Sequence, residues 1–420
     1  MKRRTRTILF AFFLFLFLVA SPAIVLYSQG YRFDMEAKKI VKTGGLYFKV
    51  FPKGAEAKVG EGDARKTDYL TGSFLEKNLI PGAYEVSIKK EGYHSWEKTL
   101  EVTEEIVTEA KSVVLFPLEP SFTDLFEDSQ AFFVSPDGKK VVAKTATEEG
   151  WSLKLYEPES GIKSLLLKEK DYFPEGAEFL RFEFKENSKD AVVSVAEKEQ
   201  AKNYIFSTDR LPISLKEEES QIPYGAAFKE TEGKAYSLDY SGYVTEKGSS
   251  QEGIILNKNP FPVKQETEYE IFIANGYVFL QEEKELFWLK PGVESFENVF
   301  SGTEGIKASP DKKKIAVFSN SEIWVIFLAD ATEQPFRKAE EKIFLTRVSE
   351  RIKSVFWLNN DYLVFNSNGS VKITETDDRG KINIIELASF ESPEISWSVS
   401  GKRLYVLTEN VLKESEKLIP

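Results

Sequence analysis

The stretch SPDGKKVVA, residues 135–143, joins a polar turn to an apolar run, and the pattern recurs through the last three hundred residues. It returns as SPDKKKIAV at 309–317 and as SVSGKRLYV at 398–406. Small and polar residues supply turn chemistry, and the aliphatic residues after them favour a strand. Weaker copies are ENSKDAVV at 186–193, ETEGKAY at 230–236, ANGYV at 274–278 and NNDYLV at 359–364.

The spacing of these turns predicts the architecture. Their centres lie about 44 residues apart, and a period of about 40–50 residues with several short strands is typical of β-propeller blades. Further strands are predicted within the repeats, at 152–156, 164–167, 322–327 and 342–345. We therefore predict a β-propeller over residues 121–420 with about seven blades, six to eight being possible. Its turns would be centred on residues 136, 187, 232, 275, 311, 360 and 400.

In such a ring, the strand that follows each turn would occupy the same position in every blade. The alternative is a set of unrelated β-sandwiches, because turns of this kind join hairpins in many folds. The Ser-Pro-Asp-Gly turn resembles that of WD-like and Tol-associated propellers, although no Gly-His or Trp-Asp signature accompanies it. The propeller predicts equivalent inner strands that carry Val141, Val192, Ile315, Val364 and Leu404.

The segment SVVLFPLEPSFTDL, residues 112–125, is rich in large apolar residues. A flexible linker would not expose so many of them to water. Only twenty residues follow the turn at 400, so the last blade needs a strand from elsewhere. We expect part of 112–125 to pair beside residues 403–416 and close the ring, which removes exposed sheet edges.

The run ILFAFFLFLFLVASPAIVLY, residues 8–27, contains no charge and is long enough to cross a bilayer as a helix. Lys2, Arg3, Arg4 and Arg6 precede it, and the residues after it are mixed in sign. The positive-inside rule then predicts a cytoplasmic tail at 1–7, an anchor at 8–27 and an extracytoplasmic remainder. The alternative is a cleaved signal peptide, because VASPA offers small residues near a cleavage position.

Residues 44–118 read as short strands separated by turns. LYFKVF at 46–51 ends at a proline, AYEVSI at 83–88 alternates, and two further strands are predicted at 96–102 and 111–116. Antiparallel strands with one buried face suggest a small sandwich. The motifs that carry a resemblance are GGL at 44–46, PKGA at 52–55, LIPGAY at 79–84, KEGY at 90–93 and Trp96.

In order and spacing these motifs resemble the PEGA domain of prokaryotic envelope proteins. Lys53 stands where the family's eponymous tetrapeptide has glutamate. The resemblance implies an extracytoplasmic β-sandwich that acts as an interaction or spacer unit, and it implies no catalysis.

Composition excludes several kinds of site. The chain has no cysteine, so disulfides, thiolate metal sites and cysteine nucleophiles are ruled out. Its single histidine, His94, is interpreted as a surface or half-buried structural residue. The net charge is −11, and −15 beyond residue 27, which disfavours nucleic acid as a partner. Asp377 and Asp378 could be imagined in a calcium loop, but their spacing fits no EF-hand and a polar hairpin turn is the preferred interpretation.

No phosphate-binding loop, nucleophile elbow or His-Glu-x-x-His motif occurs. The sequence therefore assigns no catalytic, cofactor-binding or metal-binding residues. It predicts an all-β, membrane-anchored, noncatalytic binding or scaffold protein of the prokaryotic cell envelope, whose propeller engages a protein or a glycan. The alternatives are a propeller-type glycan hydrolase or lyase that uses carboxylates in the central funnel, and a scaffold for envelope secretion or surface-layer assembly.

Overall fold

A computed structural model describes residues 3–35, 37–148, 150–198, 200–218, 226–248 and 252–420. The chain forms two compact units. The first comprises the chain up to residue 115 together with residues 379–383, and the second comprises residues 116–378 and 384–420.

The first unit begins with helix α1, Arg3–Ser28. Its part Thr5–Ser28 is long and apolar enough to cross a membrane, and a signal sequence near an N-terminus would pass the same test. The helix runs through Pro22 and starts within the predicted tail, so residues 3–7 are helical. A hairpin of β1 (Tyr31–Asp34) and β2 (Lys39–Lys42) follows.

Seven more strands build two facing sheets in this unit. Their bounds are β3 (Gly44–Phe51), β4 (Glu56–Val59), β5 (Arg65–Lys66), β6 (Ser73–Leu79), β7 (Gly82–Lys89), β8 (Trp96–Val102) and β9 (Val107–Val114). One sheet has the order β6-β3-β9 and the other β5-β4-β7-β8. Alternate side chains of both sheets, including Phe48, Ile88 and Leu100, fill a shared core. Contrary to expectation, β3 and β9 pair in parallel, and β9 starts before residue 111.

Residues 379–383 group with this sandwich. The Arg379 guanidinium donates a hydrogen bond to the Glu109 carbonyl at 2.9 Å. The Lys98 ammonium group donates one to the Lys381 carbonyl at 3.2 Å.

The second unit consists of seven four-stranded antiparallel sheets, here called blades. Blades 1 to 3 contain β11 (Ser129–Val134), β12 (Val141–Thr147), β13 (Gly150–Glu157) and β14 (Ile162–Lys168); β15 (Glu178–Phe184), β16 (Asp190–Glu197), β17 (Gln200–Ser207) and β18 (Lys216–Glu218); and β19 (Ala227–Thr231), β20 (Lys234–Leu238), β21 (Val244–Gly248) and β22 (Ile254–Ile255). A one-turn helix α2 (Glu169–Tyr172) follows blade 1.

Blades 4 to 6 contain β23 (Tyr269–Ala274), β24 (Tyr277–Glu282), β25 (Glu285–Leu289) and β26 (Glu297–Ser301); β27 (Gly305–Ala308), β28 (Lys314–Phe318), β29 (Glu322–Phe327) and β30 (Lys342–Arg347); and β31 (Ile352–Trp357), β32 (Tyr362–Ser367), β33 (Ser370–Glu375) and β34 (Ile384–Ser389). Blade 7 contains β35 (Glu394–Ser398), β36 (Arg403–Thr408), β37 (Val411–Ser415) and, from earlier in the chain, β10 (Phe122–Phe126).

The blades form a closed ring, which confirms the predicted propeller. First strands contact one another at five of the junctions, including that between β35 of blade 7 and β11 of blade 1. A shared apolar cluster joins blades 4 and 5, and a hydrogen bond from the Glu232 amide to the Glu186 carboxylate joins blades 3 and 2. The hydrophobic core lies between neighbouring blades, where buried aliphatic and aromatic side chains of two sheets interdigitate. All seven predicted turn centres fall between the first and second strands of a blade.

The five marker residues lie on equivalent strands, as predicted, but these are the second strands rather than the innermost ones. The innermost position belongs to the strand before each Ser-Pro-Asp-type turn, because those first strands make the contacts between blades around the centre.

The ring closes as the sequence predicts. Strand β10 pairs with β37, with Phe122 opposite Ser415 and Thr123 opposite Glu414. Leu125 and Phe126 are buried there. Val113 and Leu115 contribute instead to the core of the first unit, so only the later part of 112–125 closes the ring.

Candidate binding surface

The turn between the first two strands of blade 1 is held by its own side chains. The Ser135 hydroxyl donates to the Asp137 carboxylate at 2.7 Å and accepts the Lys140 amide at 2.9 Å. The same carboxylate accepts the Lys139 amide at 3.0 Å. Serine and aspartate are turn residues because their short side chains bond to nearby backbone groups in this way.

Blade 5 repeats this geometry because it repeats the residues. The Ser309 hydroxyl donates to Asp311 at 2.6 Å and accepts the Lys314 amide at 3.0 Å, and Asp311 accepts the Lys313 amide at 3.1 Å. The repeated sequence therefore encodes a repeated turn.

These turns lie on one face of the ring, here called the turn face, and neighbouring turns touch. Gly138 has a φ of +70°, and a Cβ there would lie 2.5 Å from the Ser398 hydroxyl, so glycine permits the approach of blade 7. Four hydrogen bonds join adjacent turns: Ser398 Oγ to Gly138 O at 2.7 Å, Asp137 N to Ser188 Oγ at 3.0 Å, Glu232 N to Glu186 Oε2 at 3.1 Å and Asp311 N to Asn360 Oδ1 at 3.1 Å.

A lysine after each Ser-Pro-Asp turn reaches the next blade. The Lys140 ammonium group donates to the Ser188 carbonyl at 3.2 Å and the Thr208 hydroxyl at 2.9 Å, and it pairs with Asp209. Lys314, its equivalent in blade 5, lies 3.6 Å from the Asp361 carboxylate of blade 6. Both lysines are half-buried and stabilise contacts between blades rather than presenting charge to a ligand.

Other basic side chains on the turn face point into solvent. Lys139, Lys189 and Lys313 are exposed, and Lys139 has only a 4.0 Å contact with the exposed Glu159. Lys312 pairs with Glu232. The turn face thus presents exposed lysines beside exposed carboxylates such as Glu186 and Asp311, on a chain of net charge −11.

The first strands place mixed charges around the central channel. Exposed side chains on them include Arg181, Lys229, Glu270, Lys307 and Glu394. Lys307 keeps solvent contact yet is enclosed by neighbouring strands, and this burial lowers its pKa, while Glu270 opposes the shift. Its ammonium group also lies 5.3 Å from the centre of the Phe356 ring.

A buried carboxylate network lies at the ring closure. Glu414 accepts hydrogen bonds from the Tyr405 hydroxyl at 2.8 Å and the Tyr156 hydroxyl at 3.0 Å, with Arg403 at 3.5 Å. Burial, with Glu414 adding to it, raises the pKa of Tyr156 to about 12. The network joins blade 7 to blade 1, and Glu414 is fully occupied with its phenol and guanidinium partners.

The carboxyl pKa shifts found in the described residues are downward. A hydrogen bond from Trp324, with others from Arg347, lowers the pKa of Glu322, and Lys284 does the same for Glu304. A general acid for glycoside cleavage needs a raised carboxyl pKa instead.

The structure places His94 and Asp378, two residues that the sequence analysis considered as candidate ligands. His94 is half-buried in the bend between β7 and β8. The Asp378 carboxylate pairs with Arg337, whose guanidinium also donates to Glu341 at 2.6 Å. Across the described part of the chain, no cluster of three or more metal-ligating side chains occurs.

The sequence analysis did not predict that some turn lysines contact the next blade while others are exposed to solvent. Lys140 and Lys314 occupy the same position after Ser-Pro-Asp, directly before the apolar strand, whereas Lys139 and Lys313 come one residue earlier. Alternation along an emerging strand could have separated the two roles, because successive side chains point to opposite sides.

Comparison with known proteins yields propellers among solved structures. No protein-family model and no curated protein matches the chain. The β-propeller domain of Myceliophteria thermophila Cps50 (Swd1) is 10% identical, with 71% of this chain and 99% of that chain covered and a TM-score of 0.44. YCF48 from Cyanidioschyzon merolae is 13% identical, with 70% and 98% covered and a TM-score of 0.42. Chaetomium thermophilum Raptor is 9% identical, with 73% and 29% covered and a TM-score of 0.46. At such identities these similarities say nothing about a ligand.

Proposed function

We propose that this protein is a single-pass, membrane-anchored, noncatalytic binding or scaffold protein of the prokaryotic cell envelope. Its turn face binds an acidic segment of a partner protein. The observation that carries the proposal is the set of exposed lysines Lys139, Lys189 and Lys313 on the joined turns of an acidic chain.

The anchor and its orientation rest on α1 and on the basic residues before it. An uncleaved helix would hold the rest of the chain at the outer surface, with the N-terminus in the cytoplasm. The two-sheet domain after it serves as a PEGA-like spacer. In support, Lys53 and Gly54 lie in the turn after β3, Pro81 precedes β7, and Gly92 lies in the turn before β8.

The turn face is suited to binding because its backbone is held in place. Turns of neighbouring blades share hydrogen bonds, and Lys140 and Lys314 fix the blades beneath them. Because the backbone of this surface is already ordered, binding a ligand costs little conformational entropy beyond the ordering of the lysine side chains. A protein segment rich in aspartate and glutamate offers complementary charge, which steers association as well as stabilising the complex.

Site-specific photo-crosslinking in native membranes tests this proposal. A photoreactive amino acid replaces Lys189 or Lys313 on the turn face, and in matched controls it replaces Lys216 or Lys247, which are exposed on outer parts of blades 2 and 3. We expect a discrete protein adduct from the turn-face positions only. Equal adducts from the control positions, or a carbohydrate adduct alone, would contradict a protein partner at this face.

Charge reversal provides the second arm. With the photoreactive amino acid at Lys139 of the turn face in both variants, K189E/K313E and K216E/K247E change net charge equally, so a loss of the adduct only in the first variant assigns the effect to the turn face. Reducing-end assays on envelope polysaccharides test the noncatalytic part, because release of new chain ends by the wild type would show a hydrolase.

A further inference from the structure

The hairpin after α1 exposes a pair of large apolar side chains. Phe33 and Ile40 are directly opposite each other in the β1–β2 register, so their side chains share a face of the two-stranded ribbon. Phe33 is 54% exposed and Ile40 60%, and Met35 beyond them is 78% exposed. The other face contacts the protein, with Val41 buried.

Short hydrogen bonds fix the hairpin to the end of the helix. The Arg32 guanidinium donates to the Tyr27 carbonyl at 2.8 Å and lies 3.5 Å from the centre of the Tyr27 ring. The Gly30 carbonyl accepts both the amide and the hydroxyl of Thr43 at 2.9 Å. The hairpin therefore cannot move far from the outer end of α1.

The length of α1 sets the depth of this end. The apolar part, Thr5–Ser28, has 24 residues, which at about 1.5 Å per residue gives about 36 Å. The hydrocarbon core of a bilayer is about 30 Å thick, so a helix that spans it ends at headgroup level. Phe33 and Ile40 follow within a dozen residues of Ser28 and are tethered at that level.

The charge of the hairpin also suits a lipid surface. Residues 29–43 carry Arg32, Lys38, Lys39 and Lys42 against two acids, whereas the chain as a whole is acidic. Lys42 pairs with Glu105, and Lys38 and Lys39 are exposed. Basic side chains beside a span attract anionic headgroups, and amphipathic elements place apolar side chains between the headgroups and the acyl chains.

We propose that the β1–β2 hairpin is a second membrane contact, which inserts Phe33 and Ile40 into the interface of the outer leaflet. It rests on the proposed anchoring by α1. The hairpin would restrict rotation and tilt of the first unit at the membrane, because a single helix provides only a pivot.

The absence of cysteine from the chain makes a direct test practical. Single-cysteine variants F33C and I40C of the full chain are labelled with a nitroxide in nanodiscs of phosphatidylcholine and phosphatidylglycerol. S349C, on an exposed loop of the propeller, is the aqueous reference, and F15C, within α1, is the hydrocarbon reference. The readout is the accessibility of each label to oxygen relative to a water-soluble nickel complex.

We expect this ratio at Phe33 and Ile40 to lie several-fold above that at Ser349 and below that at Phe15. A ratio equal to that at Ser349 overturns the insertion. Shielding from both relaxing agents also overturns it, because it indicates a protein contact instead of lipid. If the Phe15 label itself reads as aqueous, or is lost by cleavage, the anchor proposal fails, and the two failures are thereby distinguished.

Discussion

Single residues in the turns between first and second strands contribute to the stability of the fold. Burial opposes ionisation of Asp137, but hydrogen bonds from the Ser135 hydroxyl and the Lys139 amide, with Lys140 nearby, hold its pKa below the usual value. A carboxyl group with a lowered folded-state pKa stabilises the fold above its unfolded pKa of about 3.9. This contribution is lost as pH falls through the folded pKa.

We therefore predict that Asp137→Asn lowers thermal stability at pH 7 and that the deficit shrinks towards pH 3. The wild type loses the benefit of the ionised group over that range, whereas asparagine has none to lose. Thermal unfolding of both proteins at a series of pH values checks the expectation. A deficit that stays constant with pH would show that the loss comes from packing or neutral hydrogen bonding.

Among the elements, β10 bears most directly on the integrity of the ring. It is five residues long, yet Leu125 and Phe126 are buried against blade 7 and its neighbour. Without this strand, β37 would present an unpaired edge. The two ends of the propeller sequence are thus joined by one short pairing.

Leu125→Ala should destabilise the closure by about 2–5 kcal/mol, the usual range for a buried leucine replaced by alanine. Hydrogen exchange should then speed up in β35, β36 and β37, while blade 4 across the ring changes less. Thr123→Ala, on an exposed position of the same strand, is the matched control and should leave exchange unchanged. Uniform acceleration in all blades would indicate that the ring opens as one unit rather than at this seam.

At the scale of the whole molecule, the proposed anchor determines where the propeller acts. We predict that the full chain stays in the membrane fraction through high-salt and alkaline carbonate washes, because α1 contacts lipid through apolar side chains and not through charges. Deletion of residues 2–28 should release the protein into the soluble fraction. Protease added outside should digest nearly all of the uncleaved chain. A mature N-terminus mapped near residue 24 would show a removed signal sequence instead.

Much of the fold could be predicted because it is encoded locally. The turns at 136 and 311 combine a serine, a proline and an aspartate with a following apolar strand. Such a turn can be predicted from sequence because its hydrogen bonds join residues that are near neighbours in the chain. Recurrence at blade length then implies a ring, because a single blade cannot bury both its faces alone. The apolar run at 8–27 is equally local, since length and hydropathy identify a possible span without any partner.

Other features depended on residues that are distant in sequence. The first strands, such as β19 with its exposed Phe228 and Lys229, lack clean alternation, so the sequence pattern does not identify them as the innermost strands. The parallel pairing of β3 with β9 joins segments about sixty residues apart, and no local pattern specifies it.

The sequence by itself determined the all-β class, the blade period, the closing segment and the apolar helix, because turn propensity and hydrophobic pattern act between near neighbours. Only the tertiary structure decided which lysines join blades and which face solvent. It also decided that Asp378 pairs with Arg337 and that Phe33 and Ile40 share an exposed face. Charge partners and burial depend on what the fold brings within a few ångströms, and such proximity is a property of the folded chain as a whole.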